Sequence, residues 1–395
     1  MKQRPITIIA ILFFTLSGFS AGYWLAQSPY APIVTNQPGT PDEVRQEFEP
    51  FWEVWEQVQT RFYEQPVNNE ALVEGAIDGM LAVLDDPHTR YLSPEEEAMA
   101  RQDMRGELQG IGAEVEDVDG AITIVSPIEG SPAAAAGLQP GDILRRADGV
   151  DLTEMGLTDA VRLVRGPAGT AVTLTIERDG NLFDVVIERG VIKRDSVRAE
   201  MLPENIAYIR LTQFGENTAA ELETALNDLL AQNPVGLALD LRHNPGGGLR
   251  TAVEVADQFL DEGIILTEEF GDGRTNVFRS EADGLAQEIP LVVLIDEGSA
   301  SASELLAGAI QDRGRGILIG QTSFGKGTVQ AWPHLSNGGG LRLTIAHWLT
   351  PDDHWIHQAG IEPDFLVAVD GENLDDDTQL QAAVDFLLGR PVIKK

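Results

Sequence analysis

Apolar residues first form an unbroken run and then settle into changing periods along the chain. Residues 6–26 carry no charge and are rich in Ile, Leu, Phe and Ala, with Lys2 and Arg4 ahead of them. At ~1.5 Å per residue a helix of this length spans the ~30 Å hydrocarbon core of a bilayer. Basic residues on the amino side predict that this end stays in the cytoplasm and the rest lies outside, on a periplasmic or extracellular face. The run is long for a signal peptide and no small-x-small cleavage site follows, which favours an uncleaved signal anchor; cleavage would give a secreted protein instead. Residues 27–42 hold Pro29, Pro32, Pro38, Gly39 and Pro41 and read as an extended linker.

The next period is helical. Val44, Phe48, Phe51, Trp52, Trp55, Val58 and Phe62 recur at three- and four-residue steps and predict an amphipathic helix over 43–63. A second helix is expected over 69–84, ended by Asp85-Asp86-Pro87. Ser93-Pro94-Glu95-Glu96 then forms a capping box at the start of a third. From about residue 106 strands and turns take over, with strands at 121–125, 171–178 and 182–187 and a helix at 159–164. Beyond 191, buried-type strands (206–211, 236–241, 290–295, 316–319) alternate with helices (218–231, 249–260, 301–311). That alternation predicts an α/β layered core. The expected class is therefore an α/β multidomain protein: a helical segment over 43–105, a mostly β module with short helices over 106–190, and an α/β core over 191–395 ending in a helix near Leu380.

Composition narrows the function classes. A length of 395 residues suits two or three domains, and 43% hydrophobic residues suffice for buried cores. The net charge of -35 argues against nucleic acid and against adsorption of the main body to anionic lipid. The chain has no cysteine, which excludes disulfides, thiol catalysis and zinc–cysteine sites. His347, His354 and His357 cluster in sequence, but no metal and no cofactor are expected.

Two local patterns carry chemistry. The first is Ser131-Pro132-Ala133 through Gly137-Leu138, Gly141-Asp142-Ile143-Leu144 and Asp148-Gly149. It resembles the PDZ signature over residues 106–188. The resemblance implies that an extended peptide adds to a sheet edge while Gly110, Ile111 and Gly112 hold its terminal carboxylate; the plainer reading is that Gly110 and Gly112 only shape a turn.

The second pattern pairs Ser301, in Glu297-Gly298-Ser299-Ala300-Ser301-Ala302-Ser303-Glu304, with Lys326, in Phe324-Gly325-Lys326-Gly327-Thr328-Val329-Gln330. A lysine can activate a serine without histidine, cysteine or metal, provided desolvation lowers its pKa from ~10.4. Phe324 and the flanking glycines suit a tight, dry site. Each residue also has a plain reading: Ser301-x-x-Glu304 is a capping box, and Lys326 a loop lysine. Strand rise would separate the Lys326 and Gln330 Cα atoms by ~13 Å, so a bend at Gly327 is expected.

With Asp86-Pro87-His88-Thr89-Arg90-Tyr91, Asp240-Leu241-Arg242-His243-Asn244-Pro245-Gly246-Gly247 and Gly360-Ile361-Glu362-Pro363-Asp364, these segments resemble the carboxyl-terminal processing protease family. Those are PDZ-containing Ser/Lys serine peptidases of the tail-specific type. The resemblance implies Ser301 as nucleophile, Lys326 as general base and Gln330 as the residue orienting the lysine. It implies an oxyanion hole from the Ala302 N–H and a glycine of Asn244-Pro245-Gly246-Gly247, with Gly246 preferred over the plain reading of a strand-to-helix turn, and endoproteolysis of proteins recognised by exposed C-termini. It further implies gating by the PDZ domain and a homodimer formed through 43–63 and the C-terminal helix; the plainer reading is that both helices are ordinary core. Asp353-His354-Trp355 and His357-Gln358 depart from the family's Gly- and Lys-rich pattern there. His243, in the oxyanion turn, is an alternative base or a surface residue. The rival class is a non-catalytic PDZ peptide-binding adaptor on a protease fold, against which the intact Ser301, Lys326 and Gln330 argue.

Overall fold

Strands buried on both faces define the centre of the molecule. In the computed structural model, residues 42–392 are described, apart from 105–106, 119, 129, 154, 179, 194 and 369–376. The expected anchor at 6–26 and nearly all of the linker lie outside the described residues. The chain divides into two compact units, one of residues up to 97 with 330–344, the other of 98–329 with 345 onward.

In the first unit the amphipathic pattern forms the helix Arg45–Arg61, of which no residue is buried. Its aromatic residues pack on one another, Phe48 against Phe51 at 5.8 Å and Phe51 against Trp52 at 5.0 Å between ring centroids. Asn68 caps the helix Asn69–Ala82 by accepting from the Glu70 and Ala71 N–H groups. The capping box at Ser93 forms in both directions: the Ser93 N–H donates to Glu96 (3.0 Å) and the Glu96 N–H to the Ser93 hydroxyl (3.3 Å). A short strand that the pattern does not announce, Arg90–Leu92, pairs antiparallel with Gly340–Arg342.

The second unit contains both remaining layers. Strands Ala113–Val118, Ala121–Pro127, Ile143–Ala147, Ala171–Arg178 and Asn181–Glu188 form a sheet in that order, around a core that includes Ile122, Ile124, Leu144, Leu174 and Ile176. Ser131 caps the short helix Pro132–Ala135 and donates its hydroxyl to the Gly112 carbonyl at 2.7 Å. Asp142, 1% exposed, accepts two hydrogen bonds from Arg178.

The mostly parallel sheet runs in the order Val197–Leu202, Ile206–Leu211, Gly236–Asp240, Leu291–Ile295, Ile317–Gly320 and Phe365–Leu366. All pairs after the first are parallel. Every residue of Gly236–Asp240 and Leu291–Ile295 is buried. Leu237, Leu239 and Val293 face a core shared with the helices Leu249–Asp257 and Ala302–Asp312. The alternate residues Ala238, Val292 and Leu294 meet the C-terminal helix Thr378–Leu387. Helices thus cover both faces, the arrangement that buried parallel strands require. The turns at the carboxyl ends of Gly236–Asp240 and Leu291–Ile295 lie where open α/β sheets place their ligands.

Candidate active site

Both turns at that end of the sheet are built by buried polar side chains. Asp240, fully buried, accepts from the Tyr208 hydroxyl (2.7 Å), the Arg242 N–H (2.9 Å) and the Arg242 guanidinium. Arg242 also reaches Asp377, the cap of the C-terminal helix, with two hydrogen bonds of 2.7 and 2.8 Å. Burial opposes the Arg242 charge, but the two carboxylates outweigh it and raise its pKa; burial and Asp240 likewise raise that of Tyr208. The first turn is thereby held at its root. Two residues on, buried Asn244 binds the Leu211 carbonyl with its amide (2.8 Å). The Asn244 carbonyl accepts from the Ala300 N–H (3.0 Å) and the Ser303 hydroxyl (2.9 Å), which joins the first turn to the second.

Gly246 lies against Ser301. A Cβ there would stand 2.9 Å from the Ser301 Cβ and 2.8 Å from the Ala302 nitrogen, and its φ of +96° is one that glycine alone takes easily. Its N–H, however, donates to the Asn244 side chain at 2.9 Å. The structure therefore packs Gly246 against the serine but turns its amide into the loop. Ala302 opens the helix Ala302–Asp312, so its N–H has no acceptor within that helix.

Ser301 itself has φ 55° and ψ −112°, a conformation that costs a non-glycine residue ~1–3 kcal/mol and collects at functional sites. It is half-buried, and every residue from Ala302 to Ile310 is buried behind it. The Ser301–Glu304 capping box is present, with the Ser301 N–H donating to Glu304 Oε2 at 2.7 Å. Glu304 does more than cap. Fully buried, it also accepts from the Lys326 N–H at 2.9 Å, the Gly325 N–H at 2.6 Å and the Ser323 hydroxyl at 2.7 Å. One carboxylate thus ties the serine turn to the lysine loop, and its charge is met by four donors.

Lys326 is half-buried and precedes the strand Thr328–Ala331, so the ~13 Å spacing expected for one continuous strand does not apply. Its loop is packed by residues from the departing segment. The Trp348 indole donates to the Lys326 carbonyl and the Trp355 indole to the Gly327 carbonyl, each at 3.0 Å. A Cβ on Gly327 would lie 2.9 Å from Trp355, so the close approach needs glycine. Trp355 stacks between His347 (4.4 Å) and His357 (5.3 Å). Phe324, read from sequence as drying the site, is instead 58% exposed; Trp348 and Trp355 cover the loop in its place.

Gln330 is described with the first unit. Its Nε2 meets Thr344 Oγ1 at 3.2 Å. The Thr344 hydroxyl is hydrogen-bonded to Asp86, and its one proton goes to that carboxylate, so its oxygen accepts from Gln330. Asp86 also accepts from the Thr89 hydroxyl (2.6 Å) and the His88 N–H (3.0 Å). Burial would raise its pKa, but these hydrogen bonds hold it below the ordinary value. The Asp86-Pro87-His88-Thr89 motif is thus a bracket behind Gln330, a role with no signal in the sequence beyond the motif itself.

His243 is exposed, with Nδ1 2.8 Å from Asp296. His354 lies 3.7 Å from Asp312, apart from the stack holding His347 and His357. Among the described residues no group of three or more His, Asp or Glu is placed to hold a metal. In the β module, Gly110, Ile111 and Gly112 line a pocket with Ile122, Leu144, Val164 and Arg165. Its walls are mostly aliphatic, and Gln109, Glu114 and Arg165 also line it.

Comparison with known proteins gives three family matches: "Peptidase family S41" over residues 205–367, "PDZ domain" over 123–178, and "Activating protease CtpB N-terminal domain" over 18–96. The carboxy-terminal processing protease CtpA of Bacillus subtilis (strain 168) is 40% identical over 318 residues, 80% of this chain and 68% of that protein. A carboxy-terminal-processing protease of Bartonella bacilliformis is 40% identical over 357 residues, 88% and 81% of the two chains. Among solved structures, a photosystem II D1 C-terminal processing protease is similar with a TM-score of 0.54 and 31% identity, covering 82% of this chain and 89% of that one.

Proposed function

The chain belongs to peptidase family S41, and on that premise we propose how its residues divide the work of a PDZ-containing serine peptidase of the carboxy-terminal processing type. Ser301 Oγ adds to the scissile carbonyl as its proton passes to the neutral amine of Lys326. The oxyanion forms beside the Ala302 N–H at the helix amino end, where amides and dipole favour negative charge. Gly246 is the second candidate donor, and its use requires the bond to Asn244 to open. Collapse expels the amine product, which takes the proton from Lys326; water then releases the acyl group from Ser301 by the same steps. Gln330, whose amide is held by the Thr344 hydroxyl, orients the lysine. The observation that carries this reading is the shared Glu304 carboxylate, which fixes the Ser301 and Lys326 backbones to one atom.

The PDZ domain takes the C-terminal tail of the substrate. Aliphatic walls suit an apolar last residue, and the loop of Gly110, Ile111 and Gly112 suits its carboxylate. Residues 6–26 anchor the chain in a membrane with the body outside the cytoplasm. The helix Arg45–Arg61, with Phe48, Phe51 and Trp52 all exposed, supports a homodimer formed through that face. We assign the domains to 43–105, 106–190 and 191–395.

The test is to incubate the wild-type protein, Ser301→Ala and Lys326→Ala with an unstructured protein ending in an apolar tail and read fragments by mass spectrometry. Cleavage by wild type alone is expected. Tail binding without cleavage by any of the three would favour the adaptor; cleavage by all three would mean another nucleophile.

A further inference from the structure

The indole of Trp355 covers the lysine loop, yet half of it stays in water. Its two faces are taken: His347 lies on one with the ring planes 19° apart, and His357 on the other at 17°. Its five-membered ring points inward. Nε1 donates to the Gly327 carbonyl, and both Cδ1 and Nε1 lie 2.9 Å from where a Gly327 Cβ would stand. With both faces covered and that ring against the loop, the residue is still 47% exposed. What it offers outward is therefore the benzenoid edge. The backbone around it is unusual as well. Asp353 and Gln358 bracket Trp355 and His357 with φ of 61° and 62°, values that side chains other than glycine rarely take and that collect at functional sites. Both lie in the stretch where the chain departs from the Gly- and Lys-rich pattern of its family.

The stack stands close to the reacting atoms. The Ser301 and Lys326 amides share Glu304 Oε2, so the two nitrogens are no further apart than those two hydrogen bonds laid end to end. Trp355 is bonded to the residue directly after Lys326. All of these residues belong to the second unit. An extended peptide advances ~3.3 Å per residue, so the indole edge is within a few residues of a bond held at Ser301. Neither the serine, the lysine nor the oxyanion turn uses that edge.

We propose that the outer edge of Trp355 is the wall of a substrate subsite that takes an aromatic side chain within three residues of the scissile bond. This rests on the reading of Ser301 and Lys326 as the catalytic pair. The edge of an aromatic ring is the positive part of its quadrupole and the face is the negative part, so a Phe, Tyr or Trp ring meets the indole face to edge. His347 and His357 are positioning residues: stacked on both sides, they hold the indole upright.

The experiment compares peptides that share an apolar C-terminal tail and carry Phe or its saturated counterpart cyclohexylalanine near the cut. Each of the three positions on either side of the cut is varied in turn. Wild type, Trp355→Leu, Trp355→Phe, His347→Ala and Phe324→Leu are assayed, with circular dichroism confirming the fold. At one position wild type should prefer Phe by about threefold to tenfold in kcat/KM, the worth of one edge-to-face pair. That ratio should fall to about one in Trp355→Leu. It should drop partway in Trp355→Phe, whose shorter ring keeps the stack, so the test survives if Trp355→Leu does not fold. Exposed His347 gives a further variant with little risk to folding, and there too the ratio should drop partway. Using the ratio removes the loss of the Gly327 hydrogen bond, which acts on every peptide alike. Equal cleavage of the Phe and cyclohexylalanine peptides by wild type at all positions overturns the subsite while leaving the protease intact. A preference retained in full by the Trp355 variants also overturns it, and so does one lost only in Phe324→Leu, which would move the contact to that ring. Cleavage of neither series by wild type overturns the protease reading and the subsite with it.

Discussion

The backbone amides of Ser301 and Lys326 donate to the same oxygen, Glu304 Oε2, at 2.7 and 2.9 Å. A helix cap and a loop anchor are thus one carboxylate. Replacing it by glutamine leaves a single acceptor oxygen and sets an NH2 group against remaining donors. Glu304→Gln is expected to lower kcat/KM by about 100-fold, with KM little changed, because the loss of one or two charge-assisted hydrogen bonds is worth about 2–3 kcal/mol. Steady-state kinetics on a tail-bearing peptide check this.

The Trp355 indole holds the carbonyl of Gly327, next to the lysine. Trp355→Phe keeps an aromatic ring in the stack with His347 and His357 but removes the donor. About a threefold to tenfold loss in kcat is expected, as for one ordinary hydrogen bond of ~1 kcal/mol, with a small change in melting temperature. Trp348→Phe, in a fully buried site, should cost more stability by calorimetry.

Asp240 is buried with no exposure and paired with an arginine that is itself largely buried. Removing its charge leaves Arg242 with Asp377 alone. Asp240→Asn should destabilise the second unit by roughly 3–5 kcal/mol, read as a lowered urea midpoint with an unchanged slope. Asp377→Asn should cost less, because Asp377 is the more exposed partner.

Hydrogen bonds depress the pKa of Asp86, so its carboxylate favours the folded state. The sign follows: the contribution is complete above the ordinary carboxyl pKa of ~3.9 and is lost as pH falls through the lower folded value. Asp86→Asn should therefore melt below wild type at pH 5, and the gap should narrow as pH drops below about 4. A gap that widens with acid would contradict the assignment.

Much of the mostly parallel sheet is legible in the sequence because its strands are buried on both faces. Gly236–Asp240 and Leu291–Ile295 are continuous apolar runs closed by Gly- and Pro-containing turns. The hairpin of Gly263–Phe270 and Thr275–Ser280 was not, since fully buried Glu268 interrupts any apolar alternation and the second strand is mostly exposed. Gly340–Leu349 has the same defect, with half-buried positions in succession. In the candidate site Ser301 and Lys326 stand in short local motifs and can be picked out directly. Glu304 reads only as a capping residue, because Ser323, Gly325 and Lys326 reach it from 19 to 22 positions away. The covering of the lysine loop by Trp348 and Trp355 likewise exists only once the chain has folded back. Arg90 and Arg342 are far apart in sequence, and only strand pairing reveals them as neighbours.

The most direct test of the central claim is covalent trapping with a fluorophosphonate, followed by mass mapping of the labelled peptide. The account predicts one adduct, on Ser301, formed readily in wild type, slowed by orders of magnitude in Lys326→Ala and absent in Ser301→Ala. An adduct on another residue, or labelling of Ser301 at the same rate without Lys326, would contradict it.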